Sequence, residues 1–123
     1  MFSVNKRIKE IRKHFRLTQE EFGKRIGASR DSVATYENGR VTPPEPTIRL
    51  IVREFHIDYG WLKDGVGKMF ASEDDEVLAS LDDIMAGENE KAKKLLRAMA
   101  RFTDAQWAAF DEIISALENG QEA

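Results

Sequence analysis

Apolar residues recur along this chain at three- and four-residue intervals, in short runs bounded by residues that start or stop helices. Over residues 5 to 15, Ile8, Ile11 and Phe15 form an apolar stripe whose opposite face is cationic. Thr18 followed by Glu21 is a capping box: the threonine hydroxyl takes an orphan backbone N–H and the glutamate reaches back, which predicts a helix from Gln19. Leu17 can staple onto Phe22, Phe22 and Ile26 share a face, and Gly27 sits where a helix end favours a left-handed residue. Ser29 is the next cap. At about 100° per residue, Val33, Tyr36 and Glu37 then fall on one side, while Asp31, Ala34 and Thr35 face away with Arg30 and Ser32 beside them. Asn38-Gly39 supplies the stop.

The three prolines between Val41 and Pro46 exclude a helix interior and predict an extended loop. Residues 47 to 56 place Ile48, Ile51, Val52 and Phe55 inward, and Asp58 caps a short helix holding Trp61 and Leu62. Past Phe70 the composition shifts at Ala71-Ser72 and the acidic run that follows, which divides the chain into residues 1–70 and 71–123. In the second part Val77, Leu78, Leu81, Ile84 and Met85 share one side of residues 73 to 86, and Gly87 interrupts. Leu95, Leu96, Met99 and Phe102 recur over residues 89 to 102, and Thr103 to Gln106 is a second capping box. From Asp104 to Glu118, the residues Trp107, Phe110, Ile113, Ile114 and Leu117 make an apolar stripe that is wide for so short a segment. Every predicted element is a helix, so the fold class is all-α.

Length and composition fit one small packed domain with extra helices. The absence of cysteine excludes a disulfide framework and a thiolate zinc site. No apolar run approaches the roughly 20 residues of a membrane span, and the N-terminus lacks the apolar core of a signal peptide, so a cytoplasmic location is expected. The net charge of −3 conceals an asymmetry: residues 1–70 hold 14 Lys/Arg against 9 Asp/Glu, whereas residues 71–123 hold 5 against 13. A phosphate backbone demands local positive potential, and Lys6, Arg7, Lys9, Lys13, Arg16, Lys24, Arg25, Arg30 and Arg40 are the candidates to supply it. The plainer reading of any one of these cations is a solvated helix face.

Two short helices around a tight turn, with a polar outward face on the second, are the layout of a helix-turn-helix that reads DNA. The run LTQEEFGKRIG, the Ser, Val and Tyr-Glu-Asn-Gly positions of SRDSVATYENGR, and the later segment DYGWLKDGVG resemble the Cro/CI-like, or XRE-type, helix-turn-helix domains of phage repressors and bacterial regulators. The resemblance covers roughly the first seventy residues. It implies a five-helix, lambda-repressor-like DNA-binding domain, here followed by a short C-terminal helical region. It also implies that Arg12 pairs with Glu37, locking the first helix to the recognition helix through a partly buried bidentate bridge. The chain departs from the family in its proline loop, where Pro43, Pro44 and Glu45 stand in place of a basic residue. A minor-groove contact from this loop is therefore not expected, while Arg40 and Thr42 keep the position for backbone contacts.

For sequence readout, the helical wheel and the resemblance agree on Arg30, Asp31 and Thr35, with Gln19 opening the preceding helix. Arg30 can donate to guanine O6 and N7, Asp31 can accept from cytosine N4, Thr35 can touch a thymine methyl, and Gln19 can grip a phosphate or an adenine edge. Thr18, Ser29, Ser32, Asn38 and Arg40 complete the DNA-binding set, chiefly toward phosphates. Asp31 has a competing role, since an acid in the first turn favours the helix dipole with or without DNA. Trp61 beside Leu62 reads as core rather than as a base-stacking platform. His14 and His56 are isolated, and the carboxylates of the acidic run and of Asp82-Asp83 diverge around a helix, so no metal or other cofactor is expected.

With no phosphate loop, nucleophile elbow or histidine-based triad, the chain does not read as an enzyme. The stripe of Trp107, Phe110, Ile113, Ile114 and Leu117 is expected to dimerise, because family members gain affinity by placing two recognition helices one DNA turn apart. Folding back on the DNA-binding domain and holding a protein partner are the alternatives at that stripe. The expectation is a repressor that binds a two-fold symmetric operator on double-stranded DNA as a homodimer. Two other readings stand beside it: an antitoxin-like autorepressor whose C-terminal helices bind a protein, and an interaction adaptor that kept the fold but lost DNA binding.

Overall fold

A computed structural model describes residues 3–120. Its elements are α1 (Val4–His14), α2 (Gln19–Ile26), α3 (Arg30–Glu37), α4 (Glu45–Phe55), α5 (Tyr59–Asp64), α6 (Glu73–Ala86), α7 (Glu90–Met99) and α8 (Asp104–Gly120). Local chemistry sets most of the boundaries. Ser3, Thr18, Ser29, Asp58 and Asn89 each accept a backbone N–H from the first turn that follows them, and the Thr18–Glu21 capping box is complete in both directions. Gly27 closes α2 at φ +68°, the left-handed conformation expected there. Helix α4 begins at Glu45, earlier than the prolines suggested, because Pro46 in a first turn lacks only an N–H that has no helical partner.

The chain divides into two compact units, residues 1–86 and 87–123. In the first, Ile8, Ile11, Phe22, Val33, Ile48, Ile51, Phe55 and Leu62 are fully buried, and Trp61 packs against this core as expected. The Phe22 and Phe55 rings stack with centroids 5.0 Å apart, and the Arg25 guanidinium lies over the Phe55 ring, 4.5 Å from its centroid.

The first unit runs past the boundary expected at Phe70 and includes α6. Ala79 is buried in the bundle, Asp83 accepts from Arg25 at 3.2 Å, and Asp82 meets the ring of His56, so composition changed before packing did. Asp82 and Asp83, which diverge around the helix as expected, thereby tie α6 to the bundle. In the second unit no residue of α7 or α8 is buried. Phe102, in the turn between them, packs edge-on against Trp107 and tilted against Phe110, while Ile113 and Leu117 stay more than half exposed.

Candidate nucleic-acid interface

Helices α2 and α3 are joined by the short turn through Gly27, and Val33 buries the inner face of α3 completely. That burial forces the opposite face outward. Arg30 and Asp31 are exposed, and among the described residues neither forms an ion pair. Behind them, Arg12 on α1 holds Glu37 on α3 through two bonds, Nε to Oε2 at 2.7 Å and a second amino group to Oε1 at 2.9 Å. The two side chains are only 15% and 5% exposed. Donating to the Glu37 carboxylate raises the pKa of the Arg12 guanidinium still further, despite burial. Arg12 also donates to the Leu17 carbonyl at 2.9 Å, so one guanidinium ties α1, the α1–α2 turn and the recognition helix together.

The remaining candidates divide by what their polar atoms already do. The Thr18 hydroxyl accepts from the Glu21 N–H, and the return bond from the Thr18 N–H holds the Glu21 carboxyl below the usual range. Gln19 donates to Glu37 at 3.5 Å, which leaves its carbonyl oxygen for another partner. Ser29 accepts the Ser32 N–H and donates to the Ser32 hydroxyl. Ser32 thereby keeps its own proton available, as a phosphate ligand requires. Thr35 gives its hydroxyl proton to the Ser32 carbonyl at 2.8 Å, and Asn38 accepts from the Arg40 N–H at 2.9 Å. Thr18, Gln19, Glu20 and Arg30 line one open cleft with Arg12, of about 460 Å³, so the two helix starts converge on a single surface. Lys9, Gln19 and Asn38 border the neighbouring cleft along α3.

Two cations expected on this surface serve the fold instead. Arg7 is 6% exposed and donates to the Leu62 and Lys63 carbonyls, capping the end of α5. Arg25 pairs with Glu54 and Asp83. One residue was missed altogether: the Asn5 amide donates to the carbonyl oxygens of Tyr36 and Val41, clamping the exit of α3 from behind. Its signal was present, because Asn5, Ile8 and Arg12 share one helical face and a polar residue on a buried stripe needs partners.

An all-helical bundle with a braced, outward-polar α3 following a tight turn defines a Cro/CI-like helix-turn-helix domain. Residues 5–68 match a family model described as a helix-turn-helix domain, and the chain belongs to that family. It is 40% identical over 50 residues to an uncharacterized HTH-type transcriptional regulator of Archaeoglobus fulgidus, a match covering 41% of this chain and 70% of that one. It is 32% identical over 109 residues to the antitoxin PezA of Streptococcus pneumoniae, covering 89% of this chain and 66% of the relative. The chain thus spans just under two thirds of that protein's length. Among solved structures, the P22 c2 repressor in complex with a synthetic operator shares the fold, with a TM-score of 0.50 at 20% identity over 53% of this chain and 98% of the repressor chain.

Proposed function

We propose that this protein is a sequence-specific, double-stranded-DNA-binding transcriptional regulator, a repressor that binds a two-fold symmetric operator as a homodimer and acts in the cytoplasm. It works by binding rather than by catalysis. The observation that carries this reading is the polar face of α3, pinned from behind by the Arg12–Glu37 bridge, with Arg30 and Asp31 exposed and in no ion pair among the described residues. Arg30, Asp31 and Thr35 read base edges, and Gln19 supports them at the start of α2. Thr18, Ser29, Ser32, Asn38 and Arg40 grip phosphates and set the register. The two copies join through Trp107, Phe110, Ile113, Ile114 and Leu117, a stripe on which Phe102 packs against Trp107 and Phe110 while Ile113, Ile114 and Leu117 stay exposed.

Selecting bound duplexes from random DNA tests site, symmetry and half-site spacing together. On the selected site, Arg30→Ala should cost about 1–3 kcal/mol, and much less on random DNA. Equal loss on both duplexes would reduce Arg30 to a phosphate contact.

A second reading is favoured by one observation: the match to the antitoxin runs over 109 residues and therefore extends into the acidic helices beyond the DNA-binding domain. On that reading the C-terminal helices hold a protein partner and the N-terminal domain represses its own operon. A stoichiometric complex with a protein encoded beside it would support this reading, and its absence with a specific operator bound would leave the simple repressor.

A further inference from the structure

Asn5, Lys9 and Arg12 follow one another along α1 at four- and three-residue steps, and so form a single ridge of the helix. Both ends of this ridge are fastened to α3 and its exit. Asn5 donates to the Tyr36 and Val41 carbonyls, and Arg12 grips Glu37. Lys9 lies between the two fastenings. Its backbone is therefore held against the flank of α3, while the residue stays exposed and, among the described residues, enters no ion pair.

Lys9 borders a cleft of about 260 Å³ with Arg12, Gln19, Ala34, Glu37 and Asn38. The charges there do not balance. Arg12 and Glu37 neutralise each other through their two-point bridge, Gln19, Ala34 and Asn38 carry no charge, and Lys9 leaves one positive charge over. Asn38 adds donors, because its side-chain oxygen accepts the Arg40 N–H and its amide hydrogens remain for another partner. One cation beside a neutral donor suits a group with a single negative charge and two acceptor oxygens, which is the phosphodiester of a nucleic-acid backbone. Of the other cations expected to meet phosphate, Arg7 and Arg25 are spent on the fold, and Lys6, Lys13 and Arg16 line neither this cleft nor the one beside Arg30.

We infer that Lys9 binds a backbone phosphate of the duplex in this cleft, with Asn38 as its neutral companion, so that α1 meets DNA at the exit end of α3. Because Asn5 and Arg12 fix Lys9 relative to α3, the contact helps set the register in which Arg30, Asp31 and Thr35 meet the bases. This contact rests on the DNA-binding reading above and adds to it a helix outside the helix-turn-helix itself.

The test uses the full chain and the duplex selected from random DNA, with binding read by fluorescence anisotropy over a series of salt concentrations. Lys9→Gln removes the charge from an exposed position and leaves the Arg12–Glu37 bridge in place. For each Lys9 that engages the duplex, the slope of log affinity against log salt should become shallower by about 0.9, so the deficit of the variant shrinks about threefold between about 50 and 200 mM salt. The loss should be of similar size on random DNA, since a phosphate carries no sequence. A neutral methylphosphonate placed at each operator phosphate in turn should weaken the wild type at a position where it leaves Lys9→Gln unaffected. Lys13→Gln, on α1 but outside the cleft, should change affinity and slope much less. Equal effects of Lys9→Gln and Lys13→Gln would reduce Lys9 to a share of the net charge and overturn the contact. A Lys9→Gln variant with the wild-type slope would also overturn it, and so would a loss confined to the operator, which would make Lys9 a reader of bases. A wild-type chain with no salt-dependent binding to any duplex would instead remove the DNA-binding reading itself.

Discussion

The bundle of residues 3–86 and the helices of residues 87–120 are built from the same local grammar, yet they end in opposite states. Both have capped helix starts, apolar residues at helical spacing and charged outer faces. In the bundle those apolar residues vanish from solvent, with Ile8, Phe22, Ile48 and Leu62 at 0% exposure. In α8 the equivalent stripe stays open, with Ile113 at 55% and Leu117 at 64%. Amphipathicity therefore states that a helix needs a partner, and not where the partner is. Five or six helices can surround one core, whereas two have no inside.

The sharpest way to probe this contrast is to make the same kind of deletion in each region. Phe22→Ala, in the stacked pair with Phe55, should cost the first unit about 3–5 kcal/mol in a denaturant melt. Trp107→Ala in α8 should leave that melt unchanged and alter only self-association; a comparable loss from both would mean that the two units share one core.

Next in size is Arg12→Ala, which strands the Glu37 carboxylate at a site where it is 5% exposed and should cost about 3 kcal/mol. Arg12→Ala with unchanged thermal stability would show that the bridge is as weak as a surface ion pair. Gly27→Ala forces a side chain into φ +68° and should cost about 1 kcal/mol, read as a small fall in melting temperature.

The smallest effect is a pH dependence confined to the bundle. The Glu45 carboxyl accepts from the Tyr59 hydroxyl, which holds it below its ordinary pKa, with Lys63 at 3.0 Å adding to the shift. A depressed folded pKa contributes stability that is fully present above the unfolded carboxyl pKa of about 4.3 and is lost as pH falls through the folded value. Glu45→Gln should therefore flatten the acid limb of the stability curve below that pH and leave neutral pH nearly unchanged. An acid limb identical to wild type would show that the contact contributes nothing.

Features that depend on a few neighbouring residues were legible in the sequence. The starts of α2, α3 and α5 and the stop at Gly27 follow from local caps, and the structure places them where expected; of the face that the helical wheel turned outward on α3, Arg30 and Asp31 are exposed while Ser32, Ala34 and Thr35 are half-buried. The ends of elements beside prolines were less so, because Pro46 is excluded from a helix interior but welcome in a first turn. The site was legible as a face and less so as a set of roles. A lysine or arginine looks alike in sequence whether it meets a phosphate, as proposed for Arg40, or a carbonyl, as Arg7 does.

What the sequence determined by itself is the helical grammar, the family resemblance and the polar identity of the recognition face, since each is written in residues within one or two turns of one another. What only the tertiary structure decided is which side chains are spent holding that face in place. Asn5 reaches a carbonyl 31 residues away, Arg7 one 55 away, and Arg25 a carboxylate 58 away. A hydrogen bond is selected by distance in space, and separations of that length are settled when the helices pack around their shared core.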